Sequence, residues 1–183
     1  IYVNEELFKE YNTPFKHWTV DNFLTKDCLA ELKAIEHNSV QEEEGRRASS
    51  ERLFVHNIPR HAVPNLWDLQ DGIADGAYRL FFENVTGQQF DDTFPRIEII
   101  SDFGPFSLKK HHDHLEKKLS AMLYTDYQEL YPATVLGEDY QVEAKDNRCM
   151  FFVPSHDTWH HYPETNFTKI RRGLMINYWT YQV

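Results

Sequence analysis

The sequence predicts a mainly β protein with supporting helices, in which an antiparallel sandwich or barrel follows a helical N-terminal half. Residues 1–90 carry apolar residues at helical spacing, whereas residues 94–183 carry short extended runs separated by turns. A length of 183 residues and a hydrophobic content of 41% suit one domain with a substantial core. We therefore predict a single domain over 1–183, with helical support and a lid in 1–90 and the barrel core in 94–183.

Two helices are predicted in the first half. Thr25 can cap the first helix, and Asn65 can cap the second, which we expect to end near Gly87. The charged run at 41–52 is typical of a solvated loop, and its segment 45–52 is a candidate lid. The apolar stripes are Cys28, Leu32 and Ile35 in the first helix, and Leu66, Leu69, Ile73, Ala77 and Leu80 in the second.

Several extended runs are predicted, and segment 126–138, which contains Pro132 and Gly137, is expected to bridge two of them. Short β runs of this kind favour an antiparallel sandwich or barrel over βαβ units. The runs are Leu53–Val55, Pro95–Ile100, Leu119–Tyr124, Tyr140–Glu143, Cys149–Val153 and Leu174–Tyr181.

The composition excludes some classes of partner. Acidic residues outnumber basic ones by 29 to 19, which gives a formal net charge of -10. Proteins that bind nucleic acid or an anionic membrane surface usually show a basic excess, so we expect neither partner. The sequence contains no run of roughly 18 apolar residues, so it predicts no membrane span. Cys28 and Cys149 form no disulfide framework, so we expect reduced thiols in a cytoplasmic protein. The composition leaves the oligomeric state open.

The histidines are clustered, since six of the ten lie between His111 and His161. In a strand, residues i and i+2 point to the same face, so His111 and Asp113 converge while His112 turns away. A later histidine, His160 or His161, can complete a set of two imidazoles and one carboxylate. Such a set leaves adjacent coordination positions open and suits a non-haem Fe(II) that activates oxygen. Surface histidines on hairpins are the alternative interpretation.

Two arginines, Arg171 and Arg172, follow this cluster at the start of a predicted strand. A buried arginine can bind a carboxylate through a bidentate fork, so one of them could hold the far carboxylate of a dicarboxylate chelated to the metal. A charged strand edge is the alternative. Arg96 and Glu98 share one face of an earlier strand, and we expect an ion pair at the barrel mouth rather than a substrate-side pair.

Together these motifs resemble those of the 2-oxoglutarate- and Fe(II)-dependent oxygenases, and most of all the prolyl-hydroxylase-like branch. The resemblance implies a double-stranded β-helix, a jelly-roll or cupin-like barrel, with the N-terminal helices packed outside. One departure is Leu136, which replaces the first glycine of the family's Gly-Gly-Glu. The segments that carry the resemblance are Gly104–Asp113, Leu119–Tyr124, Gly137–Glu138 and Phe152–His160.

The resemblance also implies the metal ligands. His111 and Asp113 would be the first two, and the distal ligand would be His160 or His161. The family has a small residue and an aromatic residue before its distal histidine. Thr158 and Trp159 fit this pattern before His160, so His160 is the preferred assignment.

The same resemblance implies residues that bind the co-substrate. Arg171 would hold the far carboxylate of 2-oxoglutarate, with Arg172 as the alternative. Tyr124 would donate a hydrogen bond to that carboxylate, and Asn177 would face the metal side. Gly173 stands where the family has serine or alanine, so one contact to the co-substrate would be lost or moved.

The activity implied is that of a dioxygenase using Fe(II), 2-oxoglutarate and O₂. It would hydroxylate an unactivated C–H bond of a small molecule or amino-acid side chain and release succinate and CO₂. Related halogenases have a small residue at the carboxylate position, so Asp113 favours hydroxylation. The alternatives are a cupin-like metal protein with non-oxygenase chemistry, which would not need Arg171, and an inactive binding module, which would not need His111. The sequence does not identify the substrate.

Overall fold

The computed structural model describes residues 8–36, 49–125 and 133–181, except for the side chains of 49–52. Residues 45–48 of the predicted lid and 126–132 of the predicted bridge lie outside the described residues. The strands are β1 (Phe8–Tyr11), β2 (His17–Val20), β3 (Ser49–Phe54), β4 (Phe94–His111), β5 (Lys117–Tyr124), β6 (Val135–Leu136), β7 (Tyr140–Gln141), β8 (Arg148–Phe152) and β9 (His160–Trp179). The helices are α1 (Lys26–Ala34), α2 (Pro64–Asp75) and α3 (Ala77–Thr86).

The strands form one antiparallel sheet in the order β1-β2-β8-β5-β9-β4-β3, with β6 pairing with β7 and β9. The mainly β class with supporting helices is therefore confirmed. The sequence did not predict β1 and β2, and residues 49–52, expected in a loop, begin β3. The long strands β4 and β9 shift register three times, first between Asp102 and Gly104 and last between Leu108 and His111. Register shifts of this kind bend strands, and they bring the far end of β4 beside the start of β9.

Helix α1 begins as predicted, because Thr25 Oγ1 accepts a hydrogen bond from the Cys28 N–H at 3.2 Å. The predicted cap of the second helix is wrong. Helix α2 begins at Pro64, after Val63. The carboxylate of Glu31 in α1 accepts from the backbone N–H groups of Asn65 and Leu66 at the start of α2. A neighbouring helix thus supplies the acceptor that a local cap would supply.

The second predicted helix is in fact two helices that meet at Gly76, where the backbone is extended. A Cβ atom at Gly76 would lie 2.8 Å from the Cα atom of Gly72, so only glycine permits this close approach. The break changes the direction of the chain, and it leaves Leu80 59% exposed rather than in the buried stripe. The end of α3 is as predicted, with Gly87 in the left-handed region at φ 71°.

The two faces of the sheet have different roles. The helices pack on one face, where alternate residues of β9 such as Leu174 and Ile176 are fully buried in the main core. Tyr178 continues this face, and its hydroxyl donates to the Ile73 carbonyl in α2 at 2.7 Å. The residues between them, including Met175 and Asn177, line a cavity on the other face. Among the described residues, none of the helices has the length and apolar character needed to cross a membrane.

Candidate metal centre

His111, at the end of β4, lies directly opposite His160, at the start of β9, in the antiparallel pairing. The two ring centroids are 4.3 Å apart. One potential ligand atom each from His111, Asp113 and His160 lies within 4.8 Å of the others. Residues distant in sequence thus form a compact group of two imidazoles and a carboxylate, which is the donor set expected for a divalent iron site.

The hydrogen bonds of the two imidazoles prepare them to bind a metal. Nδ1 of His111 lies 2.8 Å from the carbonyl of Lys109, and Nδ1 of His160 lies 3.0 Å from the carbonyl of Thr158. A carbonyl only accepts, so each Nδ1 carries the proton and each Nε2 keeps a free lone pair. Burial lowers the pKa of His160 and outweighs the opposing charge of Asp113, so the neutral, ligating form is favoured.

Asp113 is held as an anion. The ammonium group of Lys117 donates to Asp113 Oδ1 at 3.0 Å, and both side chains are mostly buried. Burial on its own would raise the pKa of Asp113, but the charge of Lys117 beside it outweighs burial and keeps the pKa below its ordinary value. Lys117 was not singled out from the sequence, although it follows Asp113 by only four residues.

The other clustered histidines lie around this group. His161 pairs with Val135 of β6 and lines the cavity, but it is not part of the three-residue cluster. The ring of His112 contacts His156 and Trp159, with centroid distances of 5.6 and 4.9 Å. Trp159 is 41% exposed, so this small aromatic group reaches the protein surface, and its three residues are not among those that line the cavity.

The cluster opens into a cavity of about 300 Å³. All three methionines of the chain line it, and they lie side by side across β8, β5 and β9. Ile100, Phe106 and Leu108 add further apolar wall. A cavity of this size suits a small organic acid, and much of its wall is apolar. The three methionines are Met122, Met150 and Met175.

Arg171 lines this cavity, whereas Arg172 points the other way, as alternation along a strand requires. The Nη1 group of Arg172 donates to the carbonyl of Lys33 near the end of α1. Nε of Arg171 donates to Asp102 Oδ2 at 3.0 Å, and Nη2 donates to the same oxygen. Burial opposes the charge of Arg171, but the carboxylate of Asp102 outweighs it and raises the arginine pKa, so Arg171 remains a cation. Asp102 could not be found from the sequence, because its pairing with Arg171 depends on the register of β4 against β9.

The remaining predicted residues have these positions. The hydroxyl of Tyr124 donates to Thr134 Oγ1 at 2.9 Å, and Thr134 lines the cavity. Asn177 lines the cavity and its Oδ1 accepts from Ser120 Oγ at 3.3 Å. At Gly173, a Cβ atom would lie 2.8 Å from the Cε atom of Met122, so a methionine fills the space that a larger residue would take.

Arg96 and Glu98 form an ion pair, with Nε of the arginine 3.0 Å from Oε1 of the glutamate. Glu98 is only 3% exposed, and the guanidinium of Arg96 lies over the ring of Phe54 at 4.6 Å. The pair lies on β4, on the same face as Asp102. This agrees with the ion pair expected from the sequence.

No protein-family model and no curated protein sequence matches the chain. Solved structures do resemble it. A viral collagen prolyl hydroxylase from Paramecium Bursaria Chlorella virus-1, in its 2OG complex, has a TM-score of 0.62 at 12% identity, covering 91% of this chain and 96% of that one. The non-haem alpha-ketoglutarate-dependent epimerase SnoN from nogalamycin biosynthesis has a TM-score of 0.62 at 12% identity, covering 88% and 76%.

A prolyl hydroxylase from Trichoplax adhaerens, in complex with a hypoxia inducible factor oxygen degradation domain peptide fragment, has a TM-score of 0.61. It is 11% identical, and the match covers 90% of this chain and 83% of that one. At such identities the likeness shows the fold. It confirms the double-stranded β-helix that the sequence motifs implied.

Proposed function

We propose that this chain is a 2-oxoglutarate- and Fe(II)-dependent dioxygenase that hydroxylates a C–H bond of a small molecule or an amino-acid side chain. The observation that carries the proposal is the group of His111, Asp113 and His160, with ligand atoms within 4.8 Å of one another, in a cavity that also contains Arg171. The fold shared with 2-oxoglutarate-dependent enzymes supports it. A net charge of -10 supports a substrate other than nucleic acid or a membrane surface.

Different residues of the cavity would bind the metal, the co-substrate and the substrate. His111 and His160 would bind Fe(II) through Nε2, and Asp113 would use the oxygen that Lys117 does not hold. Arg171 would bind the far carboxylate of 2-oxoglutarate. A bound Fe(II) would supply oxygen activation, with 2-oxoglutarate oxidised to succinate and CO₂. The apolar wall would hold the substrate against the metal side and keep water out.

The charges of the cavity support this pair of ligands. Asp113 and Lys117 form one ion pair, and Asp102 and Arg171 form a second, so the four side chains sum to zero. Buried sites are most stable when their charges balance. A divalent cation together with a dianion adds no net charge to the cavity, which is the combination that Fe(II) and 2-oxoglutarate provide.

The test is to add Fe(II) and 2-oxoglutarate to the protein without oxygen and to record the visible charge-transfer band of the chelate. We expect the wild type to show the band and the His111→Ala and Asp113→Ala proteins to lose it. The control is His156→Ala, which should keep the band, because His156 is exposed and does not line the cavity. Metal binding without a 2-oxoglutarate band would favour the cupin-like metal protein, and failure to bind either would favour the binding module.

The substrate is a second question for experiment. A protein that shows the band is then screened for succinate release in the presence of oxygen and of amino acids, sugars and peptides. We expect one class to increase succinate release above the rate without substrate. The same screen with Asp113→Ala controls for succinate formed without the metal site.

A further inference from the structure

Asp102 is a buried carboxylate that faces the candidate metal cavity and is not one of the proposed metal ligands. Its side chain is 0% exposed, and the register of β4 against β9 places it directly opposite Arg171. Nε and Nη2 of Arg171 both donate to Asp102 Oδ2. One of the two edges through which a guanidinium can bind a carboxylate is therefore already occupied.

Aromatic rings surround the guanidinium as well. Its central carbon lies 4.4 Å from the ring centroid of Tyr162 and 5.3 Å from that of Phe106. A guanidinium forms hydrogen bonds in its own plane. A second carboxylate in the cavity must therefore use the edge that carries Nη1, with the charge of Asp102 close by.

We propose that Asp102 is a specificity-determining residue for the co-substrate, because it competes with the co-substrate's far carboxylate for Arg171. It thereby weakens the preference of the cavity for dicarboxylic over monocarboxylic 2-oxo acids. This inference rests on the proposed function, since it takes Arg171 as the anchor of the co-substrate.

The physical basis is the charge that the far end of the co-substrate meets. A lone buried arginine attracts a carboxylate strongly, whereas a second carboxylate beside it opposes that attraction. In this cavity the far end of the co-substrate meets the ion pair of Asp102 and Arg171, whose charges cancel. The wall next to the pair contains Ile100, Phe106 and Leu108, which suit an uncharged alkyl end.

The experiment compares two 2-oxo acids of equal chain length, 2-oxoglutarate and 2-oxopentanoate, which lacks the far carboxylate. Each is titrated calorimetrically into the protein loaded with Fe(II) without oxygen. For the wild type we expect 2-oxoglutarate to bind more tightly by less than about 30-fold, because the ion pair limits the gain from a second charge. For Asp102→Asn, which keeps the shape but removes the charge, we expect this ratio to rise by about tenfold or more.

The control is Glu98→Gln. Glu98 is a buried acid on the same strand and face, but it pairs with Arg96, so its loss should leave the ratio unchanged. A wild-type ratio well above about 30-fold would overturn the inference, and so would an Asp102→Asn protein with the wild-type ratio. If Asp102→Asn does not fold, the inference is tested by the wild type alone, through its ratio of affinities for 2-oxoglutarate and 2-oxopentanoate. A wild type that binds neither acid overturns the proposed function and this inference with it, whereas binding with the wrong ratio overturns the inference alone.

Discussion

The ammonium nitrogen of Lys117 lies 3.0 Å from Oδ1 of Asp113. Lys117 is only 7% exposed, and its charge also lies over the ring of Trp179 at 5.0 Å. A lysine is rarely this buried unless it is paired. The contact holds one oxygen of the carboxylate and fixes the orientation of the Asp113 side chain.

Lys117→Met should weaken the affinity for Mn(II), used as a stand-in for Fe(II), by about tenfold, because groups that orient a ligand usually contribute this much. The positive charge of Lys117 also repels a metal cation. If Lys117→Met binds Mn(II) more tightly than the wild type, this repulsion outweighs the benefit of orienting the Asp113 carboxylate. The control is Lys118→Met, since Lys118 donates to the Gln89 carbonyl away from the cavity. Electron paramagnetic resonance of free Mn(II) measures the affinity.

His160→Ala should abolish Mn(II) binding, whereas His161→Ala should leave the affinity within about threefold of the wild type, because only a lost ligand removes a metal bond. The two residues are adjacent in β9, so both variants change the same stretch of chain. His160 belongs to the three-residue cluster and His161 pairs with Val135 of β6. If His161→Ala abolished Mn(II) binding and His160→Ala did not, His161 would be the distal ligand instead.

Arg171→Gln should weaken 2-oxoglutarate binding by about 100-fold, because it removes the proposed anchor and also leaves the buried charge of Asp102 unopposed beside the far carboxylate. Arg172→Gln should leave this affinity nearly unchanged. Its guanidinium donates to the Lys33 carbonyl, so it should instead lower the free energy of unfolding. Calorimetric titration under anaerobic conditions and urea unfolding measure the two effects. Equal losses of affinity would contradict the assignment of Arg171 as the anchor.

The stability of the fold should decrease below about pH 6.5, the ordinary pKa of histidine. His17 is fully buried against the rings of Tyr11 and Tyr140, and its Nδ1 donates to the Phe15 carbonyl at 2.9 Å. Burial lowers the pKa of His17, so the unfolded chain binds the proton more tightly. The contribution of His17 is therefore complete above the unfolded pKa and is lost as pH falls from there towards the folded pKa.

Urea unfolding at a series of pH values tests this dependence. We expect His17→Phe to reduce the fall in the free energy of unfolding at acid pH. His61→Phe is the control, because His61 is exposed and its replacement should leave the pH dependence of the free energy of unfolding unchanged. If His17→Phe also leaves this pH dependence unchanged, groups other than His17 cause the acid sensitivity.

Gly173→Ala should lower the free energy of unfolding by about 1–3 kcal/mol through overpacking. The added Cβ would lie 2.8 Å from Met122 Cε and 3.0 Å from the carbonyl oxygen of Leu123. The end of the methionine can move, but the backbone carbonyl of β5 cannot. Met122→Val in the same chain should recover part of the loss in urea unfolding. An alanine variant as stable as the wild type would contradict the crowding.

The local features of the chain were the most predictable. The cap at Thr25 and the end of α3 at Gly87 depend on neighbouring residues, and both are as expected. The cap and the helix end each need only a few consecutive residues to be specified. His111 and Asp113 converge as expected, but Asp113 lies after the end of β4, so strand alternation does not by itself explain their proximity.

Other features depend on contacts between distant parts of the chain. The break at Gly76 reflects a close approach to Gly72, and the start of α2 is capped by Glu31 of another helix. Strands β1 and β2 are short, so their pattern is weak without the partner strands beside them. A pattern of apolar residues indicates which face is buried, but it does not identify what covers that face.

The sequence by itself determined the types of residue that could bind a metal and a dicarboxylate, because His111, Asp113 and an arginine carry that chemistry wherever they lie. Only the tertiary structure decided which residues meet. It grouped His160 with His111 and Asp113 and placed Asp102 against Arg171. The physical reason is that cross-strand register is a property of the whole sheet, and a shift of one residue would turn every one of these side chains to the opposite face.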